Sequence, residues 1–289
     1  DKSTDQTREV ILERQARDPR ILYHINARTK GVSGARNSGI DHVRGKYLAF
    51  LDSDDIWFDD HLVSAVRLLE SHSEVGLYFG NRISFDPDTS TPLADYFEYE
   101  GIPAKFDTEA LDSDHHVMKG GIFEAFLKGN IAATQTAVIP VARLGALRFD
   151  EYLAVAEDRD FFFRYCIEKK AIPALRLSPC VKYIVHDEKL SNPTSENSIR
   201  FIESHLRSWS NIVANYDLSR EERSAIARQM AIEQLQLPYL YRKSGQYGVA
   251  LAAVLRNAST ASYKGTATEL AKVVAEWSLS SVNRVLKGK

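Results

Sequence analysis

Three carboxylates crowd into four residues at Asp52-Ser53-Asp54-Asp55, directly after the apolar run Tyr47-Leu48-Ala49-Phe50-Leu51. Like charges this close oppose one another's ionisation, so such a cluster persists most easily when a divalent cation neutralises it. The preceding run is short, aromatic and leucine-rich, which predicts a buried strand. Ligands of open α/β sheets bind in the crevice beyond the C-terminal strand edges. Asp52-Ser53-Asp54 is therefore a candidate metal and nucleotide-diphosphate site. A second reading is a solvated helix start, in which Asp55 or Asp59 caps a helix carrying Leu62, Ala65, Val66 and Leu69.

The elements that must position these acids read as an alternation of helices and strands. Residues 4–17 form a charged helix with Val10, Ile11 and Leu12, stopped by Pro19, and Ile21–Ile25 reads as a strand. Gly31–Gly39 is a loop entering a short helix that ends near Gly45, and Val75–Gly80 is a further strand. This order predicts an α/β sheet flanked by helices. Residues 86–118 differ: Asp86-Pro87-Asp88-Thr89-Ser90-Thr91-Pro92 and Asp112-Ser113-Asp114-His115-His116 make a polar, turn-rich insertion, a candidate acceptor or lid region. The adjacent histidines His115 and His116 share neither a helix face nor a strand face, which argues against a metal pair.

From residue 196 the pattern turns helical. Ser219-Arg220-Glu221-Glu222 is a capping box, and Ala225, Ile226, Met230, Ile232 and Leu235 follow as an apolar face. Leu270, Val273, Val274, Trp277, Val282 and Val285 form a later amphipathic stretch. Packing as a helical appendage is the first reading of this region and membrane contact the second. The organisation expected is thus a catalytic domain over 1–195 and a helical region over 196–289.

The chain has 289 residues, enough for one α/β domain with an appendage, and its 44 % hydrophobic content excludes a disordered protein. The formal net charge of -2 conceals an acidic first part and a mildly basic region after 196. No basic patch is interleaved with aromatics, so nucleic acid is not an expected partner. Cys166 and Cys180 have neither CxxC spacing nor a disulfide framework, and read as buried fillers in a reducing compartment. No stretch reaches the roughly 18–20 apolar residues of a membrane span and no signal peptide opens the chain, so a cytoplasmic location is expected, with room for peripheral association at the inner face of the membrane.

Several blocks occur in a telling order: Asp1-Lys2-Ser3-Thr4-Asp5, then Gly31-Val32-Ser33-Gly34-Ala35-Arg36-Asn37-Ser38-Gly39-Ile40, then the acidic strand end. Phe149-Asp150-Glu151 follows, leading to Glu157-Asp158-Arg159-Asp160-Phe161. In this the chain resembles the family-2 glycosyltransferases of the GT-A fold over roughly its first two thirds. The resemblance implies a Rossmann-like, mixed and mostly parallel sheet, and transfer of a sugar with inversion from a UDP- or GDP-linked donor to a glycan or lipid-linked acceptor hydroxyl, with Mn²⁺ or Mg²⁺ as cofactor. It also implies that a strand, a helix and a second strand normally precede the position of Asp1. A chain lacking them is expected to fold poorly and bind nucleotide weakly.

The resemblance implies roles residue by residue. Asp54 is a metal ligand and Asp52 a contact to ribose or to the metal. Asp158 is the general base and Glu157 its helper, while His186 is a metal or diphosphate ligand. Asp1 meets the nucleotide base, Lys30 and Arg36 meet phosphate or base, and Asn37 fixes the loop; Asp55 is structural. Two other functions share parts of this pattern: a nucleotidyltransferase, which also sets metal-bound carboxylates under a Rossmann-like sheet, and an inactive carbohydrate- or nucleotide-binding protein.

Overall fold

The computed structural model describes residues 1, 3–86, 88–129, 131–185, 194–257 and 263–287. They form two compact units: residues 1–152 with 157–186, and residues 153–156 with 187–289.

The first unit runs α1 (Thr7–Arg17), α2 (Val32–Ile40), β1 (Tyr47–Ala49), β2 (Asp55–Trp57), α3 (His61–Ser71), β3 (Val75–Phe85), β4 (Pro92–Asp95) and α4 (Tyr96–Glu100). It continues through β5 (Thr108–Ala110), β6 (His115–Met118), α5 (Ile122–Lys128), β7 (Val138–Pro140), α6 (Val141–Leu144), α7 (Glu157–Lys169) and β8 (Ile172–Ile184). The sheet order is β1-β7-β3-β8-β6-β5, with β2 on β8 and β4 on β3. Val75, Leu77, Tyr78 and Phe79 of β3 are all buried. An unbroken apolar run of this kind marks a central strand covered on both faces. The helix side of the core packs Ala65, Leu68 and Leu69 of α3 against Val75, Tyr78, Val138 and Ala174.

The α/β class and the mixed sheet agree with the sequence, but the sheet is not mostly parallel. Among the described strands only β3 and β8 pair in parallel; β1–β7, β2–β8, β3–β4, β3–β7, β5–β6 and β6–β8 are antiparallel. Short connections such as 111–114 between β5 and β6 permit only a reversal, because a parallel partner needs a crossover. Ile21–Ile25 is not a strand: it has no ladder partner, and Leu22 and Ile25 are 45 % and 60 % exposed. Residues 86–118 are more ordered than their turn-rich composition suggests. They add β4, α4, β5 and β6, strands of three or four residues, too short to display alternation.

The helix start proposed for α3 also differs. Its N-cap residue is Asp60, not Asp55 or Asp59, and the Asp60 carboxylate makes no cap bond but pairs with Arg176 at 2.6 Å. The buried face of α3 is His61, Ala65, Leu68 and Leu69, leaving Leu62 exposed. His115 and His116 do point apart. His115 meets Ser64 and Asp112, whereas His116 meets Thr108. Cys166 and Cys180 are buried free thiols.

The second unit contains α8 (Ser195–Asn215), α9 (Arg220–Lys243), α10 (Tyr247–Arg256) and α11 (Tyr263–Lys287). The capping box forms as expected: Glu222 N donates to Ser219 Oγ at 3.1 Å and Ser219 N to Glu222 Oε2 at 2.8 Å. The buried face of α9, however, is Ile226, Glu233, Leu237 and Tyr241, while Ile232 and Leu235 are 56 % and 45 % exposed. Glu233 is accepted inside because it lies 3.2 Å from His205 of α8 and takes a 2.9 Å bond from Gln229. Among the described residues no helix is long and apolar enough to cross a membrane.

Candidate active site

The site is organised by α2. Gly31 precedes it at φ 123, a conformation that favours glycine, and a Cβ at Gly34 would lie 1.8 Å from the Thr29 carbonyl oxygen. The first turn of α2 can therefore settle directly on the backbone of loop 26–31. From this helix Arg36 and Asn37 reach toward the segment that begins at Phe149.

Asn37 is buried with both ends of its amide used. Nδ2 donates to the Phe149 carbonyl at 3.0 Å and to Glu151 Oε1 at 2.9 Å, and Oδ1 accepts from Phe149 N at 2.8 Å. Glu151 also accepts from Thr29 N and from Arg28 Nη1, each at 3.1 Å. These donors, Asn37 foremost, hold the Glu151 carboxyl at about 2 against an ordinary 4.5. A depressed carboxylate contributes stability above its unfolded pKa that is lost as pH falls toward its folded one. Glu151→Gln is thus expected to lower stability at pH 7 by about 1 kcal/mol after solvent screening, and to flatten the acid limb of the unfolding curve between pH 4.5 and 2. Denaturant titrations across that range measure it; an unchanged acid limb would contradict this role.

Phe149, clamped by Asn37, stacks on Phe161 of α7 with centroids 4.0 Å apart, and Phe50 meets both rings edge-on at 5.4 and 6.4 Å. The guanidinium of Arg36 lies 5.5 Å from the Phe149 centroid. Its Nη2 donates to both oxygens of Asp52, at 2.9 and 3.1 Å, and its Nη1 donates to Glu157 Oε1 at 2.7 Å. One cation thereby ties the acidic strand end to the acidic start of α7, with Glu157 lying 121 residues beyond Arg36. Burial works against the Arg36 charge, but Asp52 and Glu157 outweigh it and raise its pKa. Burial and the neighbouring Asp158 push the Glu157 carboxyl up, while Arg36 opposes them.

The rest of the acidic block divides by direction. Arg159 and Asp160 turn inward: Arg159 donates to the carbonyls of Phe126 and Leu127, and Asp160 pairs with Arg164 at 2.6 Å. Asp158 is half-buried, its Oδ1 accepting from Arg159 N at 2.7 Å. Asp54 is exposed on the loop that carries Asp52, whereas Asp55 is buried in β2 and accepts from Ile184 N at 3.3 Å, stitching β2 to β8. Asp1 is tied into loop 26–31 by Asn26 Nδ2 at 2.7 Å and Gly31 N at 2.9 Å. Lys30 is exposed on the same loop. His186 lies outside the described residues.

Arg36, Asp52, Glu157 and Asp158 are thus brought together. Glu151 is a further contributor, and nothing local in the sequence marks it beyond its place near Phe149. Among the described residues no group of three His, Cys, Asp or Glu is arranged to hold a metal. A cation carried on a diphosphate needs only one or two protein carboxylates beside the phosphate oxygens. Asp54, with Asp52 beside it, fits that oxygen-donor set.

Residues 1–129 match the family model described as "Glycosyl transferase family 2". An uncharacterized glycosyltransferase of Methanocaldococcus jannaschii is 27 % identical over 159 residues, covering 55 % of this chain and 49 % of that protein. A UDP-Glc:alpha-D-GlcNAc-diphosphoundecaprenol beta-1,3-glucosyltransferase of Escherichia coli is 37 % identical over 81 residues, 28 % of this chain and 31 % of that protein. The chain therefore spans half or less of the length of these curated relatives. Among solved structures, S. aureus TarS 1-349 in complex with UDP-GlcNAc superposes with a TM-score of 0.54 at 16 % identity, covering 96 % of this chain and 78 % of that one. Residues 1–129 are thus similar in sequence to family-2 glycosyltransferases, and the chain shares its fold with TarS.

Proposed function

We propose that the first unit transfers a sugar from a nucleoside-diphosphate donor to an acceptor hydroxyl in a single displacement, inverting the anomeric centre. The observation that carries this reading is the Arg36 bridge, which sets the Asp52 loop and the Glu157-Asp158 pair around one space. Asp158 receives the proton of the attacking hydroxyl, whose own pKa is too high for ionisation at neutral pH. Glu157, anchored by Arg36 and shifted toward its neutral form, orients the acceptor beside it. Asp52, with one face engaged by Arg36, presents the other to the donor ribose. Lys30 and Asp1 border the nucleotide from loop 26–31.

Asp54 and Asp52 would hold a divalent cation, Mn²⁺ or Mg²⁺, which when bound would supply positive charge beside the departing diphosphate. The E. coli relative is named for a UDP-linked donor and a diphosphoundecaprenol acceptor. By analogy we favour UDP and a lipid-linked acceptor here, reached by peripheral association with a membrane in glycan biosynthesis.

Calorimetric titration with UDP and with GDP, each with and without Mn²⁺, tests the donor site. Binding of one nucleotide that strengthens at least tenfold with Mn²⁺ and loses that gain in Asp54→Ala is the expected result. A metal effect unchanged in Asp54→Ala would move the cation elsewhere.

A further inference from the structure

The acidic site has a cation that none of the steps above uses. Arg82 sits on β3, in register with Val181 of β8, two residues before Tyr183, so Arg82 and Tyr183 share one face of the sheet. Tyr183 is itself paired across the sheet with Asp55, the last residue of the acidic loop. The Arg82 guanidinium carbon lies 4.5 Å from the Tyr183 ring centroid and 4.5 Å from that of Tyr96 on α4. Arg36, Arg159, Arg164 and Arg176 each donate to carboxylates or carbonyls. Arg82, half-buried, makes no hydrogen bond or ion pair with any described residue. Stacking on rings fixes a guanidinium without consuming its N–H donors, which stay available to an oxyanion.

Tyr96 connects this clamp to the chemistry. Burial pushes its phenol up to about 12, and the charges of both Arg82 and Asp158 reach it. At neutral pH its phenol is therefore un-ionised.

We propose that Arg82, held between Tyr96 and Tyr183, binds a phosphate oxygen of a diphosphate in the active site. This rests on the transferase reading above. Two substrates can supply the group: the diphosphate of the sugar donor, or the diphosphate through which an acceptor is linked to lipid. Arg is suited to either, because its fork matches two phosphate oxygens at once.

The test is calorimetric titration of the whole chain and its Arg82→Gln and Arg82→Lys variants, in Mn²⁺, with two probes: UDP and geranyl diphosphate. Arg82→Gln is expected to weaken one probe at least tenfold, and Arg82→Lys, which keeps the charge but not the fork, to weaken the same probe by a smaller factor. Loss for geranyl diphosphate assigns the acceptor side; loss for UDP assigns the donor side. If the wild type binds UDP and both variants keep both affinities within twofold, the role of Arg82 is overturned while the transferase reading stands. If the wild type binds neither probe, both fall together. Should Arg82→Gln fail to fold by circular dichroism, Arg82→Lys decides alone: a loss of threefold or more supports the assignment and unchanged affinities overturn it.

Discussion

Asp158→Asn is expected to lower turnover about a thousandfold, the scale of a lost general base, while UDP binding in Mn²⁺ stays within about twofold. The substitution is nearly isosteric, and an amide oxygen can still accept from Arg159 N as Asp158 Oδ1 does at 2.7 Å, so the first turn of α7 survives. What disappears is the capacity to take a proton from the acceptor hydroxyl. Single-turnover sugar transfer set beside nucleotide calorimetry separates the two effects. Near-normal turnover in Asp158→Asn would remove the residue from the chemistry.

Arg36→Met should have the largest effect on stability. It leaves Asp52 and the buried Glu157 facing one another without the cation that joins them. Removing one partner of a buried pair costs about 3–5 kcal/mol, and the partial exposure of Asp52 brings the expectation here to about 2–3 kcal/mol. The loss should depend on pH with a defined sign. Burial and Asp158 already push the Glu157 carboxyl up, and without Arg36 its ionisation becomes still less favourable in the folded state. The variant should therefore lose more stability at pH 8 than at pH 5, where Glu157 can remain protonated. Urea unfolding at the two pH values measures this, and an equal loss at both would contradict it. Arg36→Lys should recover only part of the stability, because one ammonium cannot fork to two carboxylates in different directions.

Features carried by long, unbroken patterns were legible in the sequence. Val75–Gly80 reads as a strand, the capping box at Ser219 announces α9, and the ordered blocks point to the GT-A fold. Features that depend on partners distant in sequence were not. Nothing local marks the bond of Arg36 to Glu157, or that Asn37 would clamp Phe149. Ile21–Ile25 has strand composition yet no ladder. On α9, the burial of Glu233 against His205 turns the helix so that Ile232 and Leu235 face outward, and an apolar count places the wrong face inside. The strands between 92 and 118 were hidden by their brevity. Arg82 gave no signal at all, since its clamp joins α4 to β8.

The measurement that bears most directly on sugar transfer is ³¹P NMR of the wild-type chain incubated with Mn²⁺, a lipid-linked acceptor and, in turn, UDP-glucose, UDP-GlcNAc and GDP-mannose. The account predicts that one donor is consumed with release of its nucleoside diphosphate, and that Asp158→Asn suppresses the release. Inorganic pyrophosphate as the product would instead indicate a nucleotidyltransferase. A donor that binds tightly but stays intact would mean that the residues gathered around Arg36 hold a nucleotide sugar without transferring it.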